Sequence, residues 1–397
     1  MQPLIVRNYT TANCLGIGRD ALSAALRGRR SGLTHCAFET VDLETYVGQV
    51  LDAEITPLRD DLRDFECRNN RLAQLAIRQD GFEQAVARLR ERYGATRIGV
   101  FLGTSTAGIL QTELAYRRRD PATGALPADF RYEHTHNTFS PASFVQRYLG
   151  LTGPAVAVSS ACSSSAKVFG NAQRMIAAGL CDAAIVGGVD SLCLTTLYGF
   201  NSLQLMSKNP CRPFDAERDG ISIGEAAGFA LLEKPDGKIG DDELALLGVG
   251  ESCDAYHMST PHPEGLGARL AMQGALTQAG LSTTDIDYIN LHGTATRSND
   301  ATEALAVKMV FGDSVAASST KGWTGHTLGA AGIIEAIISF IAIEESFMPG
   351  SLHTKTIDPA VEIQYLKDNR QGAVKRVLSN SFGFGGTNCS LVVGRVH

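Results

Sequence analysis

The sequence has no C-x-x-C pair: its nine cysteines (positions 14, 36, 67, 162, 181, 193, 211, 253 and 389) are scattered. That scatter argues against a zinc ribbon or a thioredoxin-like redox motif, and the odd count points to reduced thiols and a cytoplasmic location. Long apolar runs are missing as well. The longest candidate, residues 332–343, is interrupted by Glu335, and no window reaches the roughly 18 apolar residues that span a bilayer. No basic leader precedes a long apolar stretch in MQPLIVRNYTTANCLGIG, so no signal peptide is expected. Positive charge is not in excess. The formal net charge of −6 argues against a nucleic-acid partner, although a local basic patch would still suit an acidic one.

What is present fits a layered globular protein. The 397 residues suffice for two or three packed units or one large fused pair. The 41 glycines cluster in short runs, and no linker or low-complexity tract divides the chain. Short β-branched runs alternate with amphipathic or small-residue stretches, the pattern of an α/β protein. Strands are expected at residues 97–102, 155–159, 183–189, 287–291 and 389–396. Two segments read as counterparts: a strand ending at Ser159 with a helix over 163–178, and the run 318–326 leading into a helix over 327–345. They raise an internal duplication, with a break near residues 234–241.

Four motifs carry chemistry. In Ser159–Ser165 (SSACSSS), Cys162 sits at a small-residue turn between a strand and a helix. Unpaired amides and the positive end of the helix dipole would face its sulfur and favour the nucleophilic thiolate. Taken alone, such a cysteine is more often a small buried hydrophobe. Asn290–Thr296 (NLHGTAT) puts His292 at the end of a strand, with Asp300 shortly after. In Lys321–His326 (KGWTGH), His326 opens a helix whose N-terminus discourages protonation, leaving a neutral imidazole as a hydrogen-bond donor. Either histidine alone would more often be a satisfied polar residue. Glu335, inside that apolar helix, needs a cation such as Lys321. Finally, Ser379–Asn388 (SNSFGFGGTN) alternates Gly and Phe, allowing positive φ and close backbone approach.

Together and in this order, the motifs resemble the β-ketoacyl-acyl-carrier-protein synthases of the thiolase superfamily, in the branch with one cysteine and two histidines. The stretches CRPFDAERDGISIGEAAGFALLE and DAYHMSTPHPEG look like that family too. The resemblance implies an α/β thiolase fold with two similar βαβαβ halves in five α-β-α-β-α layers. Residues 1–240 would carry the cysteine and 241–397 the histidines. It implies that Cys162 accepts the acyl group and that His292 and His326 donate to the extender's thioester oxygen. Lys321 and Glu335 would organise the pocket, with Asp300, Thr294 and Thr296 supporting the loop after His292. The amides of Cys162 and Phe384 would form an oxyanion hole, Phe384 would also gate entry, and Thr106 and Phe200 would bound the acyl pocket.

The implied reaction is a decarboxylating condensation of the Cys162-bound acyl chain with malonyl-carrier protein. It uses no metal and no organic cofactor, because the phosphopantetheine arm arrives on the carrier. The implied partners are acyl carrier protein and a second subunit, paired through the strand at 155–159 as a homodimer or as a heterodimer with a chain-length-factor-like chain. Arg68 and Arg71 align with a basic family segment and are candidates for carrier docking, against the alternative of a solvated helix face. The second basic cluster expected before Ser140 is missing, and Arg117–Arg119 could stand in.

Rivals remain. A thiolase would use a second cysteine, and Cys389 is the one to weigh, although it enters an expected strand. A non-catalytic chain-length factor would lack Cys162. The Cys-His-Asn branch is disfavoured by Gly325-His326-Thr327. The interval from Gly187 to Phe200 has a length closer to the elongating synthase I group. The N-terminus, however, lacks the family's strand-plus-glycine opening. That divergence, with Thr106 in the pocket loop, resembles the ketosynthases of aryl-polyene and xanthomonadin-type pathways, and fatty-acid elongation is the other reading.

Overall fold

The computed structural model describes residues 2–396. The strands that matter are β1 (Leu4–Asn13), β2 (Ile98–Gly103), β3 (Ala155–Val158), β4 (Ala183–Asp190), β5 (Ala226–Glu233), β6 (Leu244–Cys253), β7 (Tyr288–Asn290), β8 (Ala316–Ser318), β9 (Gln364–Tyr365), β10 (Arg376–Gly383) and β11 (Thr387–Arg395). The principal helices are α1 (Arg68–Ile77), α2 (Ile109–Arg117), α3 (Ser140–Tyr148), α4 (Ser164–Ala177), α5 (Leu194–Ser202), α6 (Leu266–Ala279), α7 (Arg297–Phe311) and α8 (Ala331–Glu344).

The absence of an opening strand, expected from the sequence, is corrected here. β1 runs for ten residues, and Gly16 follows at φ 144°. Polar residues disguise it, yet they are satisfied inside the sheet. Thr10 Oγ1 donates to the Ala76 carbonyl at 2.7 Å and Thr11 Oγ1 to the Ala227 carbonyl at 3.1 Å.

One pairing order occurs twice. In the first half the strands run β3-β2-β4-β5-β1, and in the second β8-β7-β10-β11-β6, with β9 added outside β8. In each half the first three strands are parallel and the last two pairings antiparallel. The halves meet where Leu4 and Ile5 of β1 pair with Leu246 and Ala245 of β6. Helices α4 and α8 pack on each other between the two half-sheets, α1 and α3 cover the first outside, and α6 with α7 covers the second. This is the five-layer α-β-α-β-α arrangement of the thiolase fold. The small residues of α4 and the apolar, wholly buried Ala331–Ile343 of α8 permit that central layer.

The repeat has a chemical consequence. Cys162 follows β3 and precedes α4, while His326 follows β8 and precedes α8. Because α4 and α8 are the packed central pair, the two turns face each other. The helix expected over 327–345 begins later, after a tight turn at Leu328–Ala330, and that delay frees the His326 segment to lie as extended chain beside Ile223.

Candidate active site

Cys162, His292, His326, Phe200 and Phe384 all line one cleft, open to solvent, with about 640 Å³ of empty space. The preceding residue, Ala161, has φ 51°, which produces the sharp turn ahead of α4. His326 Nε2 is 3.0 Å from Cys162 Sγ. The two imidazoles stand edge to face, with ring centres 5.3 Å apart and an interplanar angle of 84°.

Each imidazole is oriented from behind. The Leu328 N–H donates to His326 Nδ1 at 3.2 Å, and Lys321 Nζ donates to His292 Nδ1 at 3.2 Å. An ammonium and an amide can only donate, so both Nδ1 atoms are acceptors and both ring protons sit on Nε2. Burial, then the nearby Lys321, holds both histidines well below their ordinary pKa, with His326 adding to the effect on His292. The site therefore presents two neutral N–H donors. The Cys162, His292 and His326 donor atoms lie within 4.8 Å of one another.

The lysine is held equally firmly. Lys321, 1% exposed, ion-pairs with Glu335 and donates to the His292 carbonyl. Burial raises the Glu335 carboxyl to about 7 against the opposing pull of Lys321. The pairing expected from the sequence is present.

Burial also pushes the Cys162 thiol up to about 12, with Lys321 and the Phe384 amide pulling it down. This corrects the expectation of a standing thiolate. Removing the sulfur from water disfavours the thiolate and so opposes the helix-terminus field.

The supporting residues divide. Thr294 and Thr296 line the cleft, their hydroxyls 2.8 Å apart. Asp300 is fully buried and accepts from the Phe214 amide at 2.8 Å and the Ala295 amide at 3.2 Å, tying the loop after His292 to the segment around Phe214. Phe384 is half-buried and tilts against Phe200 with ring centres 5.7 Å apart, and Gly385 beside it takes φ 81°. Thr106 is a correction. It does not line the cleft, because its hydroxyl turns inward to donate to Asp190 at 2.8 Å and accept from the Ser191 amide at 3.2 Å.

Carrier docking by Arg68 is corrected too. The Arg68 side chain is 6% exposed and forks onto Glu225, Nε to Oε2 at 2.7 Å and Nη2 to Oε1 at 2.5 Å, while also pairing with Glu54. Arg71, partly exposed, pairs with Glu66 and donates to the Ala53 and Glu54 carbonyls. Of the run that could stand in, Arg117 pairs with Glu39 and Arg118 with Asp129. Arg68 is structural: Arg68→Ala strands the Glu225 charge and should cost about 3–5 kcal/mol. A urea titration checks this, and an unchanged midpoint would show that the buried pair contributes nothing.

Two buried acids escaped sequence reasoning. Glu303 accepts from the His292 and Gly293 amides, each at 2.8 Å, and from Asn380 Nδ2 at 3.1 Å. Its signal was an acid one turn after Asp300 on the apolar face of α7. Asp190 ends the otherwise apolar β4. The string Gly220–Gly224 spells G-x-S-x-G. However, Ser222 is fully buried in extended chain that runs toward β5 rather than a helix, and its Oγ accepts from the Cys211 amide at 3.0 Å. Cys389, the thiolase candidate, is sealed within β11.

The comparisons agree with this geometry. Residues 65–236 match the beta-ketoacyl synthase N-terminal domain and residues 245–355 the C-terminal domain. The 3-oxoacyl-[acyl-carrier-protein] synthase 2 of Staphylococcus aureus is 32% identical over 377 residues, covering 84% of this chain and 89% of that one. The mitochondrial 3-oxoacyl-[acyl-carrier-protein] synthase of Arabidopsis thaliana is 41% identical over 265 residues, a match covering 62% of this chain and only 58% of that relative. Among solved structures, the ketosynthase ApeO of Xenorhabdus doucetiae, in complex with its chain length factor ApeC, superposes with a TM-score of 0.90. It is 37% identical, and the match covers 99% of this chain and 98% of the other. With a cysteine and two histidines converging at the meeting of two repeated half-sheets, and with this likeness along the chain, the protein belongs to the β-ketoacyl synthase family.

Proposed function

We propose that this protein catalyses the decarboxylating condensation of a Cys162-bound acyl chain with a malonyl-carrier thioester. The observation that carries the reading is the pair of neutral Nε2–H donors beside the sulfur. In the first half-reaction Sγ attacks the acyl thioester carbonyl, a new C–S bond forms, and the departing pantetheine sulfur takes the thiol proton. In the second, the malonyl C–CO2 bond breaks, CO2 leaves, and the electron pair enters an enolate whose oxygen accepts from His292 and His326. The enolate carbon attacks the Cys162 thioester, the amides of Cys162 and Phe384 hold the tetrahedral oxyanion, and the C–S bond breaks to release the β-ketoacyl-carrier product. Sγ then regains a proton from solvent. Preorganised donors in a dry cleft stabilise such an oxyanion far better than water does. The protein supplies no cofactor in this scheme, and the phosphopantetheine arm comes with the carrier.

The partner reading rests on β3. It is the terminal strand of the first half-sheet, its outer edge bonded to no strand among the described residues, and its four residues are only half-buried. The partner is a chain-length-factor-like subunit, the kind of chain with which the similar ApeO was solved. The sequence's resemblance to aryl-polyene ketosynthases makes the carried chain a conjugated polyene. Co-expression with the native carrier proteins and such a subunit, followed by intact-mass analysis, should show an unsaturated acyl mass on Cys162. A saturated fatty acyl mass would move the protein to fatty-acid elongation, and failure to acylate at all would remove the reading.

A further inference from the structure

Among the buried carboxylates that the condensation scheme leaves unused, Asp190 lies beside the His326 turn. Asp190 Oδ1 accepts from Thr104 Oγ1 at 2.7 Å, the Thr106 amide at 2.9 Å and Thr106 Oγ1 at 2.8 Å, while Oδ2 accepts from the Gly329 amide at 2.5 Å. The Ser105 amide reaches both oxygens, at 2.8 and 3.0 Å. Both threonine hydroxyls already accept, Thr104 from the Ala107 amide and Thr106 from the Ser191 amide, so each has its proton free for Asp190. Every group facing this carboxyl is a donor, and these bonds favour the carboxylate against the burial that raises its pKa.

The Gly329 end connects to chemistry. Between His326 and Gly329 lies Leu328, 3% exposed and left-handed at φ 53°, a conformation costly for leucine. Its amide is the one that occupies His326 Nδ1. A Cβ on Gly329 would stand 2.7 Å from Asp190 Oδ2, so the turn is seated directly on the carboxylate.

We propose that Asp190 is a positioning residue for His326. By anchoring Gly329 it holds Leu328 left-handed, and the Leu328 amide then keeps His326 in the Nε2–H tautomer that faces Cys162. The inference rests on the condensation reading above, since it assigns the tautomer to the decarboxylation half. Without the anchor the turn relaxes, Nδ1 takes the proton, and a lone pair instead of a donor points at the enolate oxygen.

Asp190→Asn keeps the volume but turns an N–H toward donors in either orientation. Acyl loading onto Cys162 should stay within about threefold of wild type while CO2 release from a malonyl-carrier thioester falls about tenfold to a hundredfold. Nitrogen NMR of histidine-labelled protein should show His326 moving from the Nε2–H to the Nδ1–H tautomer. Gly329→Ala, which pushes on the same contact from the other side, should give the same split. Equal losses in both half-reactions, or unchanged CO2 release, would overturn the proposal, and so would a wild-type His326 carrying its proton on Nδ1. A wild-type protein that neither loads nor decarboxylates would refute the condensation reading instead.

Discussion

Cys162→Ala protein incubated with an acyl-carrier thioester gains no acyl mass, whereas the wild type gains one acyl group. The expectation follows from access as much as from chemistry. Seven of the other eight cysteines, at positions 14, 36, 67, 181, 193, 211 and 389, are buried or half-buried and none lines the cleft. Cys253 is exposed, so it is the one thiol whose adventitious acylation could confuse the result. Cys253→Ala should therefore load as the wild type does. The loss in Cys162→Ala should be essentially complete, because covalent catalysis divides the condensation into two steps that share this single sulfur. The variant should remain folded, since a cysteine-to-alanine change removes one small atom from a turn held by Ser163 and Ser164. Ser163 Oγ donates to the Ser160 carbonyl at 2.9 Å and Ser164 Oγ to the Ala161 carbonyl at 2.6 Å. Persistent acylation of Cys162→Ala, mapped by peptide mass to any other residue, would reassign the nucleophile.

The parts of the site that were legible in the sequence are those fixed by local pattern. Cys162 sits in a short run between a strand readable from its β-branched residues and a small-residue helix, whereas the strand before His326, Ala316–Ser318, has no β-branched residue and was not expected. The pairing of Lys321 with Glu335 was legible because a carboxylate within an apolar helix demands a cation nearby. What misled was partnership over long separations. Arg68 on α1 reads as a solvated basic residue, yet Glu225 lies 157 positions away, and only the folded chain brings the two together. Thr106 reads as pocket lining for the same reason, its true acceptor being Asp190, 84 positions later. β1 was hidden because Thr10, Thr11 and Asn13 resemble loop residues, while their burial is compensated by bonds to α1, to β5 and, for Asn13, to Thr11 and Leu15. Polar residues with remote partners carry no local mark of being inside.

The second large effect separates the two half-reactions. His292→Ala and His326→Ala should each lower CO2 release from a malonyl-carrier thioester by about a hundredfold to a thousandfold, the scale on which removal of one preorganised oxyanion donor acts. Acyl loading should survive in both, since the Cys162 thiol meets its acyl donor without needing a second imidazole. The double variant should fall by less than the product of the single losses, because both N–H groups serve one developing negative oxygen and so act as a unit. The pH dependence carries a further signature. Both histidines are held well below their ordinary pKa, so lowering pH through 6.5 leaves them neutral and the wild-type decarboxylation rate should show no histidine titration there. Had the rings been exposed and ordinary, protonation in that range would alter the rate. An inflection near pH 6.5 that vanishes in His326→Ala would show that His326 exchanges protons during turnover, and the donor role would then have to yield to general-base chemistry. CO2 release that is unchanged in both single variants would remove the histidines from the decarboxylation step altogether.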